Sequence, residues 1–181
     1  MTQQRFMRRG ITKILWLKSI TSTNLIPTRT EISAPNATDL TEAISDVDGW
    51  SLTNEAIETP DMASTFTSSI PGNDKADNSS ITFYEDQFSD AMETLLPKGA
   101  VGFVVFLRKG DIPGSKSMDS FPVQVASRTA QYNAGNEAAK FQGIFTITSP
   151  PALDAPVPPA ATGTGAEAST VASAATRKKA L

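Results

Sequence analysis

The 181-residue sequence contains no cysteine and no histidine. Without cysteine the chain cannot form a disulfide, a thiolate metal site or a cysteine nucleophile. Without histidine it lacks the usual general base of hydrolases, the commonest zinc ligand and the side chain that normally titrates near neutral pH. We therefore expect a protein that is not an enzyme and that has no catalytic residues, no metal and no cofactor.

Aromatic residues and long apolar runs are also scarce. Aromatic residues make up 7% of the sequence and hydrophobic residues 39%, below the usual apolar share of a globular domain. We expect one domain with extensions outside its core rather than two complete domains. The apolar run at residues 100–107 is far shorter than the ~20 residues that a membrane span requires. No membrane span is predicted, and Lys13 and Lys18 interrupt what would otherwise resemble a signal peptide.

Charge of one sign is missing from two long stretches. Residues 1–29 contain six Lys or Arg residues and no acid, whereas residues 30–74 contain nine acids and no Lys or Arg. One interpretation is a solvated basic arm beside a solvated acidic face. The other is that the two stretches meet between different copies of the chain, because complementary patches steer self-association. A nucleic-acid-binding domain is not predicted, because the positive charge is confined to one terminus.

Short strands account for most of the structure that the sequence predicts. Apolar alternation or β-compatible composition indicates strands in seven segments: 11–18, 49–60, 62–70, 80–84, 100–107, 121–133 and 141–148. In the segment 100–107, apolar residues occur at both odd and even positions, which point to opposite faces of a strand. This predicts a strand that is covered on both faces. Such a strand needs a second layer on each side.

The sequence also predicts helices and a loop between these strands. A firm helix is expected at about residues 85–96, where an apolar stripe includes Phe88 and ends before Pro97. A short helix is expected within residues 38–47 from apolar residues spaced three and four apart. Residues 71–80 are rich in Gly, Asn and Asp and are predicted to form a polar loop.

These elements predict a mainly β fold, an antiparallel β-sandwich or half-barrel with one flanking α-helix. Residues 1–20 are expected to form a basic N-terminal arm with the first strand, and residues 21–149 the β domain. From residue 150 the sequence is rich in Pro, Ala and Thr and has no hydrophobic periodicity. Residues 150–181 are therefore expected to be a disordered or extended C-terminal tail, with the proline pair at its start unable to extend the ladder.

Two segments superficially match ligand-binding motifs. "GDIPGSKS" at residues 110–117 has a serine where a phosphate loop needs Gly directly before Lys, so a hairpin loop is the better interpretation. "SDVDGW" at residues 45–50 lacks the third ligand and the distal Glu of a calcium loop. The aromatic residues Phe83, Tyr84 and Phe88 are interpreted as core rather than as a ligand cage. The sequence thus predicts contact with other copies rather than chemistry.

The order of segments resembles the major tail tube proteins of long-tailed bacteriophages, with the closest likeness to those of phages infecting actinobacteria. The resemblance covers roughly residues 11–160. It rests on the N-terminal "LWL" with its Pro/Thr/Glu stretch, on "ITFYED…LLPKGAVGFVVF", and on the "FTITSPPA" finish.

This resemblance implies a structural subunit that self-assembles into hexameric rings. The rings would stack on a tape-measure protein, end at a tail terminator protein, and conduct double-stranded DNA through a commonly acidic lumen without specific binding. It also implies a location in the tail of the virion after assembly in the cytoplasm of the host bacterium. The flanking helix would be the one at about residues 85–96.

By the same resemblance, the N-terminal arm and the polar loop would bridge to the next ring. The candidate subunit-interface residues are Arg8, Arg9, Ile14, Trp16, Leu17, Asn73, Asp74, Lys75, Asp77 and Asn78. Other functions remain open at this point. They are a tube protein of a contractile injection device, a capsid decoration protein, and a monomeric β-sandwich binding module of the adhesin or carbohydrate-binding type.

Overall fold

A computed structural model describes residues 5–33 and 35–160 of the chain. Within these residues lie twelve strands, one short α-helix and one 3-10 helix at Thr41–Ala43. The strands are β1 (Lys13–Leu17), β2 (Ala37–Asp39), β3 (Ile44–Asp48), β4 (Leu52–Asn54), β5 (Ile57–Thr59), β6 (Ser68–Ile70), β7 (Asp74–Ala76), β8 (Ser79–Tyr84), β9 (Val101–Leu107), β10 (Lys116–Gln131), β11 (Lys140–Ile147) and β12 (Ala152–Pro156). The helix α1 spans Ala91–Leu95.

Eight of the strands form one sheet in the order β2-β1-β9-β10-β11-β8-β3, with β12 paired to β10. Every pair in this sheet is antiparallel. The remaining four strands form two separate two-stranded ladders, β4-β7 and β5-β6. The mainly β, antiparallel fold with one flanking helix is therefore confirmed.

The larger core lies on one face of the sheet. Side chains of alternate residues from the central strands meet there, and four aromatic rings connect opposite parts of the sheet. Trp50 lies 5.0 Å from Phe106, 5.2 Å from Phe121 and 5.7 Å from Phe145 between ring centroids. Edge and tilted arrangements at these distances stabilise aromatic pairs beyond the area that they bury. One face of the curved sheet is thus closed around an aromatic centre.

A second core covers the opposite face of β1 and β9. Leu17, Val105 and Met118 lie in it, under the segment at residues 18–33 and the last strand, β12. Val104 faces the first core and Val105 the second, and both are fully buried. The prediction that this strand is covered on both faces is confirmed.

The flanking helix is shorter than the sequence predicts. Residues 85–90 are not helical, because Glu85 N–H donates to the carbonyl of Ala139 at 3.0 Å and so extends the β8–β11 ladder. Phe88 N–H donates to Asp86 Oδ1 at 2.9 Å, which satisfies that amide in a local turn. The prediction that Phe88 belongs to the core is wrong, since its side chain is 91% exposed. Tyr84 is also partly exposed, whereas Phe83 is buried as expected.

The short helix predicted within residues 38–47 is also wrong. Thr38 pairs with Trp16 on one side, and Ile44 pairs with Phe83 on the other. Leu40 N–H donates to the carbonyl of Ile14 at 2.9 Å, which leaves only a single 3-10 turn between the two strands. Pairing with distant strands therefore overrides the local helical spacing.

The proline pair at residues 150–151 interrupts the sheet but does not end it. Ala152 pairs with Ser120 and Pro156 with Lys116, so β12 continues along β10 where β11 leaves it. Arg108, which directly follows β9, forms ion pairs with Asp119 and Asp154 and so links β10 to this last strand. The expectation that the core excludes everything after residue 149 is wrong for residues 152–157. Residues 161–181 of the predicted tail lie outside the described residues.

The burial of this last strand gives a first prediction. Val157 is 1% exposed in the second core, whereas Leu153 on the same segment is 49% exposed. We expect Val157→Ala to lower the free energy of unfolding by about 1–3 kcal/mol and Leu153→Ala to lower it by less than about 0.5 kcal/mol. Denaturant unfolding followed by tryptophan fluorescence measures both. Equal effects of the two substitutions would show that the strand does not pack on the core.

Glu31 closes the segment that covers the second core. Its carboxylate accepts hydrogen bonds from the backbone N–H and the hydroxyl of both Thr21 and Thr28, at 2.6–2.9 Å. Burial alone would raise the pKa of Glu31, but these four hydrogen bonds outweigh it and lower the pKa to about 2. The ionised carboxylate therefore ties the two ends of this loop together.

The lowered pKa predicts an acid-sensitive clasp. Because the folded-state pKa lies below the ordinary value of 4.5, the contribution to stability is complete above pH 4.5 and is lost as pH falls toward 2. We expect Glu31→Gln to cost about 1 kcal/mol at pH 7, since solvent screens this partly exposed group, and almost nothing near pH 2. Thermal unfolding across this range, with the exposed Glu58→Gln as control, measures the difference. A cost that stays constant with pH would contradict the clasp.

Candidate assembly surfaces

A long β-hairpin extends from one edge of the sheet between β3 and β8. Its two ladders pair Leu52 with Ala76 and Ile57 with Ile70, and their side chains are exposed or half-buried. We call residues 49–78 the hairpin arm. An isolated two-stranded hairpin is only marginally stable in water, so an arm without a supporting layer is a surface that needs a partner.

The hairpin arm carries large apolar side chains that point into solvent. Ile57 and Ile70 lie directly opposite each other and are 53% and 52% exposed. At the tip, Met62 and Phe66 are 105% and 75% exposed. Apolar residues grouped on a protruding element, rather than scattered over the surface, are typical of contact sites between proteins.

The base of the hairpin arm is fixed to the core. The indole N–H of Trp50 donates to the carbonyl of Ser80 at 3.2 Å, and the hydroxyl of Ser79 donates to the carbonyl of Gly49 at 2.9 Å. Gly49 has a positive φ of 77°, and a Cβ at this position would lie 2.5 Å from the carbonyl oxygen of Asn78. Only glycine allows the two chains to approach so closely where the arm leaves the sheet.

A single asparagine links the two ladders halfway along the arm. The side-chain amide of Asn54 donates to the carbonyl of Gly72 at 2.9 Å and to Asp74 Oδ1 at 2.7 Å, and its oxygen accepts the Gly72 N–H at 3.1 Å. These bonds hold the arm together where the strand pairing is interrupted.

A cleft of about 570 Å³ opens beside the base of the hairpin arm. It lies between the edge strand β3 and the ends of β1, β9 and β10, and its floor is apolar. We call it the barrel-mouth cleft. Its lining includes Ile14, Ile44, Val47, Trp50, Phe106 and Phe121, with Arg8, Arg9, Asp46, Arg108 and Asp119 among its charged residues.

Charge differs in sign between this cleft and the hairpin arm. Arg8 and Arg9 are exposed at the cleft and have no ion-pair partner among residues 5–33 and 35–160. The hairpin arm contains five acidic residues and one lysine. The folded chain thus has an acidic arm and a cleft lined by three arginines and two aspartates, in which Arg108 pairs with Asp119.

The ten interface residues predicted from the sequence fall into two groups in the structure. Ile14, Trp16 and Leu17 are 7%, 2% and 1% exposed within the chain's own core, so they offer almost no surface to a neighbour. Their prediction as interface residues places β1 in an arm, whereas β1 pairs on both sides inside the sheet. The other seven are exposed: Arg8, Arg9, Asn73, Asp74, Lys75, Asp77 and Asn78.

The predicted polar loop at residues 71–80 is corrected by the structure. Asp74–Ala76 form β7, and β8 begins at Ser79, so this segment is the returning half of the hairpin arm. Its polar composition reflects exposure on both faces rather than the absence of regular structure. The arm is not predicted as a unit, although the apolar residues Leu52, Ile57 and Ile70 on either side of Pro60 are a usable signal.

Two strand edges of the main sheet are also open. Within the described part of the chain, β2 pairs only with β1, and β3 pairs only with β8. Each edge presents unpaired N–H and C=O groups, which are templates for pairing with another chain. The same described residues contain no cluster of three acidic side chains that could hold a metal ion. They also contain no helix long and apolar enough to cross a membrane.

Comparison with protein-family models identifies the family of the chain that carries these surfaces. A family model described as "Phage tail tube protein" matches residues 1–160. The chain belongs to this family. A search of curated proteins finds no match to the chain. The family description does not mention a host, so the likeness to phages of actinobacteria stays a prediction.

Solved structures show the same fold as this tail tube family member. A chain of the anti-feeding prophage baseplate is 12% identical, with a TM-score of 0.53, and the match covers 82% of this chain and 95% of that one. A chain of the anti-feeding prophage tube-terminating cap is 12% identical over 80% of this chain and 89% of that one, with a TM-score of 0.52. A chain from the PVC sheath/tube terminator of an extracellular contractile injection system is 11% identical, with a TM-score of 0.53 and coverages of 82% and 96%.

Membership of the tail tube family identifies the protein as a structural component of a phage tail. As a tail component it belongs to the virion, and it assembles with itself and with other tail proteins. On this tail component the open strand edges, the hairpin arm and the barrel-mouth cleft are exposed within the part of the chain that the structure describes.

Proposed function

We propose that six copies of this protein close into a ring, and that stacked rings form the channel through which double-stranded DNA leaves the virion. The hairpin arm carries this proposal, because its four strands are exposed or half-buried and no other layer among residues 5–33 and 35–160 covers them. The anti-feeding prophage baseplate, which contains a chain of the same fold, is described as sixfold symmetrised, and this supports the number of copies.

Ring closure would satisfy the open edges of the main sheet. A heterologous contact repeated around a rotation axis gives a closed ring, in which each β2 or β3 edge meets a surface of the next copy. The net charge of −3 suits a wall past which DNA slides without specific binding. In this function the protein is not an enzyme.

The proposal includes the neighbours of the tube. The rings would grow on a tape-measure protein, end at a tail terminator protein, and form in the cytoplasm of the host bacterium. A tube of a contractile injection device is the second candidate, favoured by the fold shared with the PVC terminator chain. Co-expression with a sheath protein separates the two, since only a contractile-type tube binds one.

Electron microscopy of the purified protein tests the proposed function. We expect stacked rings or tubes with a central pore wide enough for a DNA duplex, in negative stain at high protein concentration. A species that stays monomeric over the whole accessible concentration range would contradict it and favour a monomeric binding module. The test is direct because it does not depend on any substitution.

A further inference from the structure

We propose that the tip of the hairpin arm of one copy docks in the barrel-mouth cleft of the next copy. Met62 and Phe66 would be the apolar anchors, and Glu58 and Asp61 would face Arg8 of the receiving copy and its neighbour Arg9. This inference rests on the proposed function, because it specifies which surfaces of the assembling copies meet.

The apolar match between tip and cleft is the first support. Met62 and Phe66 are the most exposed large apolar side chains of the arm, at 105% and 75%. The cleft offers an aromatic floor formed by Trp50, Phe106 and Phe121. Its volume of about 570 Å³ lies within the ~300–1,000 Å³ of pockets that take drug-sized ligands. Buried aromatic anchors of this kind dominate the binding energy of protein interfaces.

Charge complementarity is the second support. Glu58 and Asp61 lie just before the tip, and both are exposed. Arg8 and Arg9 border the cleft and have no ion-pair partner in the part of the chain that the structure describes. Two acids approaching two arginines would both steer the encounter and fix its orientation.

The distance between the cleft and the tip of the arm favours a second copy as the occupant. Trp50 lines the cleft and also begins the arm, while Met62 lies twelve positions further along the chain. An extended strand of that length reaches about 40 Å. Because Met62 and Phe66 are 105% and 75% exposed, the tip is not seated in the cleft of its own chain. Docking therefore joins copies head to tail, which is the arrangement that closes rings or builds tubes.

Another segment of the same chain is a poorer occupant. Residues 161–181 contain only two large apolar residues, Val171 and Leu181, among Ala, Thr, Gly and charged residues. Neither of these two side chains matches the aromatic floor of the cleft as well as Phe66 together with Met62. Cross-linking makes this alternative one of the outcomes of the test.

The absence of cysteine makes a thiol cross-link specific. Ser45 lines the cleft and Thr65 adjoins Phe66 at the tip, so Ser45→Cys and Thr65→Cys place the only two thiols on the proposed contact. With a short bifunctional thiol reagent, assembled protein carrying both substitutions should give a covalent ladder of multimers. Each single variant should give no ladder. Mass spectrometry should identify peptides joining residue 45 of one copy to residue 65 of another.

A charge exchange tests the polar part of the contact. Glu58→Lys with Asp61→Lys, or Arg8→Glu with Arg9→Glu, should each raise the critical concentration for tube growth about tenfold or more. All four substitutions in one chain should bring it back to within about threefold of the original. Phe66→Ser should also raise it at least about tenfold, whereas Phe88→Ser, which alters an equally exposed ring away from the arm, should not.

The outcomes separate this inference from the proposed function. Tubes that form without a ladder, or a charge exchange that fails to restore growth, would overturn the docking and leave the tube function standing. Cross-links confined to one chain, or joining residue 45 to the segment 161–181, would also overturn it. If the original protein never forms rings or tubes, both the proposed function and the docking are contradicted.

Discussion

Replacing residues 53–75 with an Asn-Gly turn is expected to give a folded subunit that no longer assembles. The replacement keeps the Leu52–Ala76 pair as the last rung of the hairpin, where a two-residue turn fits the twist of the strands. It removes both anchors of the tip, each of which we expect to contribute at least about 1.4 kcal/mol, or tenfold in affinity. Rings and tubes should therefore be absent even at about one hundred times the original critical concentration.

The fold of the shortened subunit should be nearly unchanged. The deleted residues are exposed or half-buried, and Trp50, which joins the arm to the aromatic centre, is retained. We expect the free energy of unfolding to change by less than about 1 kcal/mol. Analytical ultracentrifugation and electron microscopy measure assembly, and thermal unfolding measures the fold.

A matched deletion elsewhere makes the result specific. Replacing the exposed residues 132–139, between the paired positions Gln131 and Lys140, with the same turn shortens a second hairpin and leaves the arm intact. That variant should still assemble. Assembly by the arm-shortened variant, or its loss in both variants, would show that the hairpin arm has no particular role in contact between copies.

Phe145→Ala is expected to cost about 3–5 kcal/mol of the free energy of unfolding. Phe145 is fully buried and lies between Trp16, at 6.4 Å, and Trp50, at 5.7 Å between ring centroids. Removing its ring leaves a cavity that the surrounding strands cannot collapse into, because they are tied to one another by pairing on both sides. Since small domains have only about 5–15 kcal/mol in total, much of the protein should unfold at modest temperatures.

Phe88→Ala is the control for this loss, and it distinguishes the structure from the sequence pattern. The apolar stripe at residues 85–96 predicts that Phe88 is a core residue, whereas its ring is 91% exposed. We expect Phe88→Ala to change the free energy of unfolding by less than about 0.5 kcal/mol. Denaturant unfolding of the non-assembled subunit measures both variants. A large cost for Phe88→Ala would place the Phe88 ring in the core, as the stripe predicts.

The sequence predicted the central strands well because their signal is local. The run at residues 100–107 is apolar on both parities, and it is buried on both faces as β9. The alternation of Phe141 and Phe145 likewise predicts their burial in β11. Where a strand's own side chains determine its burial, an apolar pattern with a period of two residues is sufficient to predict the strand.

The errors share one physical cause, which is pairing between residues distant in sequence. The helical spacing at residues 38–47 is real, but Thr38 and Ile44 each have a strand partner that a sequence pattern does not reveal. The proline pair at residues 150–151 correctly marks a break in the ladder, yet Ala155 and Val157 return to the second core beyond it. Local composition indicates where a ladder stops, and the distant partner determines whether it resumes.

The candidate surfaces were harder to predict than the fold. The uneven charge and the family resemblance together predict Arg8 and Arg9 as contact residues, and the structure places them at the barrel-mouth cleft. Ile14, Trp16 and Leu17 were misassigned because apolar residues in a terminal strand look the same whether they bury in their own chain or in a neighbour. The cleft itself combines side chains from β1, β3, β9 and β10, so no contiguous segment carries its signature.

The hairpin arm also determines how growth would begin. A two-stranded hairpin without a supporting layer frays in a free subunit, and ordering it costs conformational entropy that only a receiving surface offsets. The first contacts between free subunits therefore yield little net binding free energy, whereas an existing end offers surfaces that are already in place. Such coupling is expected to produce a lag before tubes of the purified protein grow, and preformed tube ends should shorten that lag.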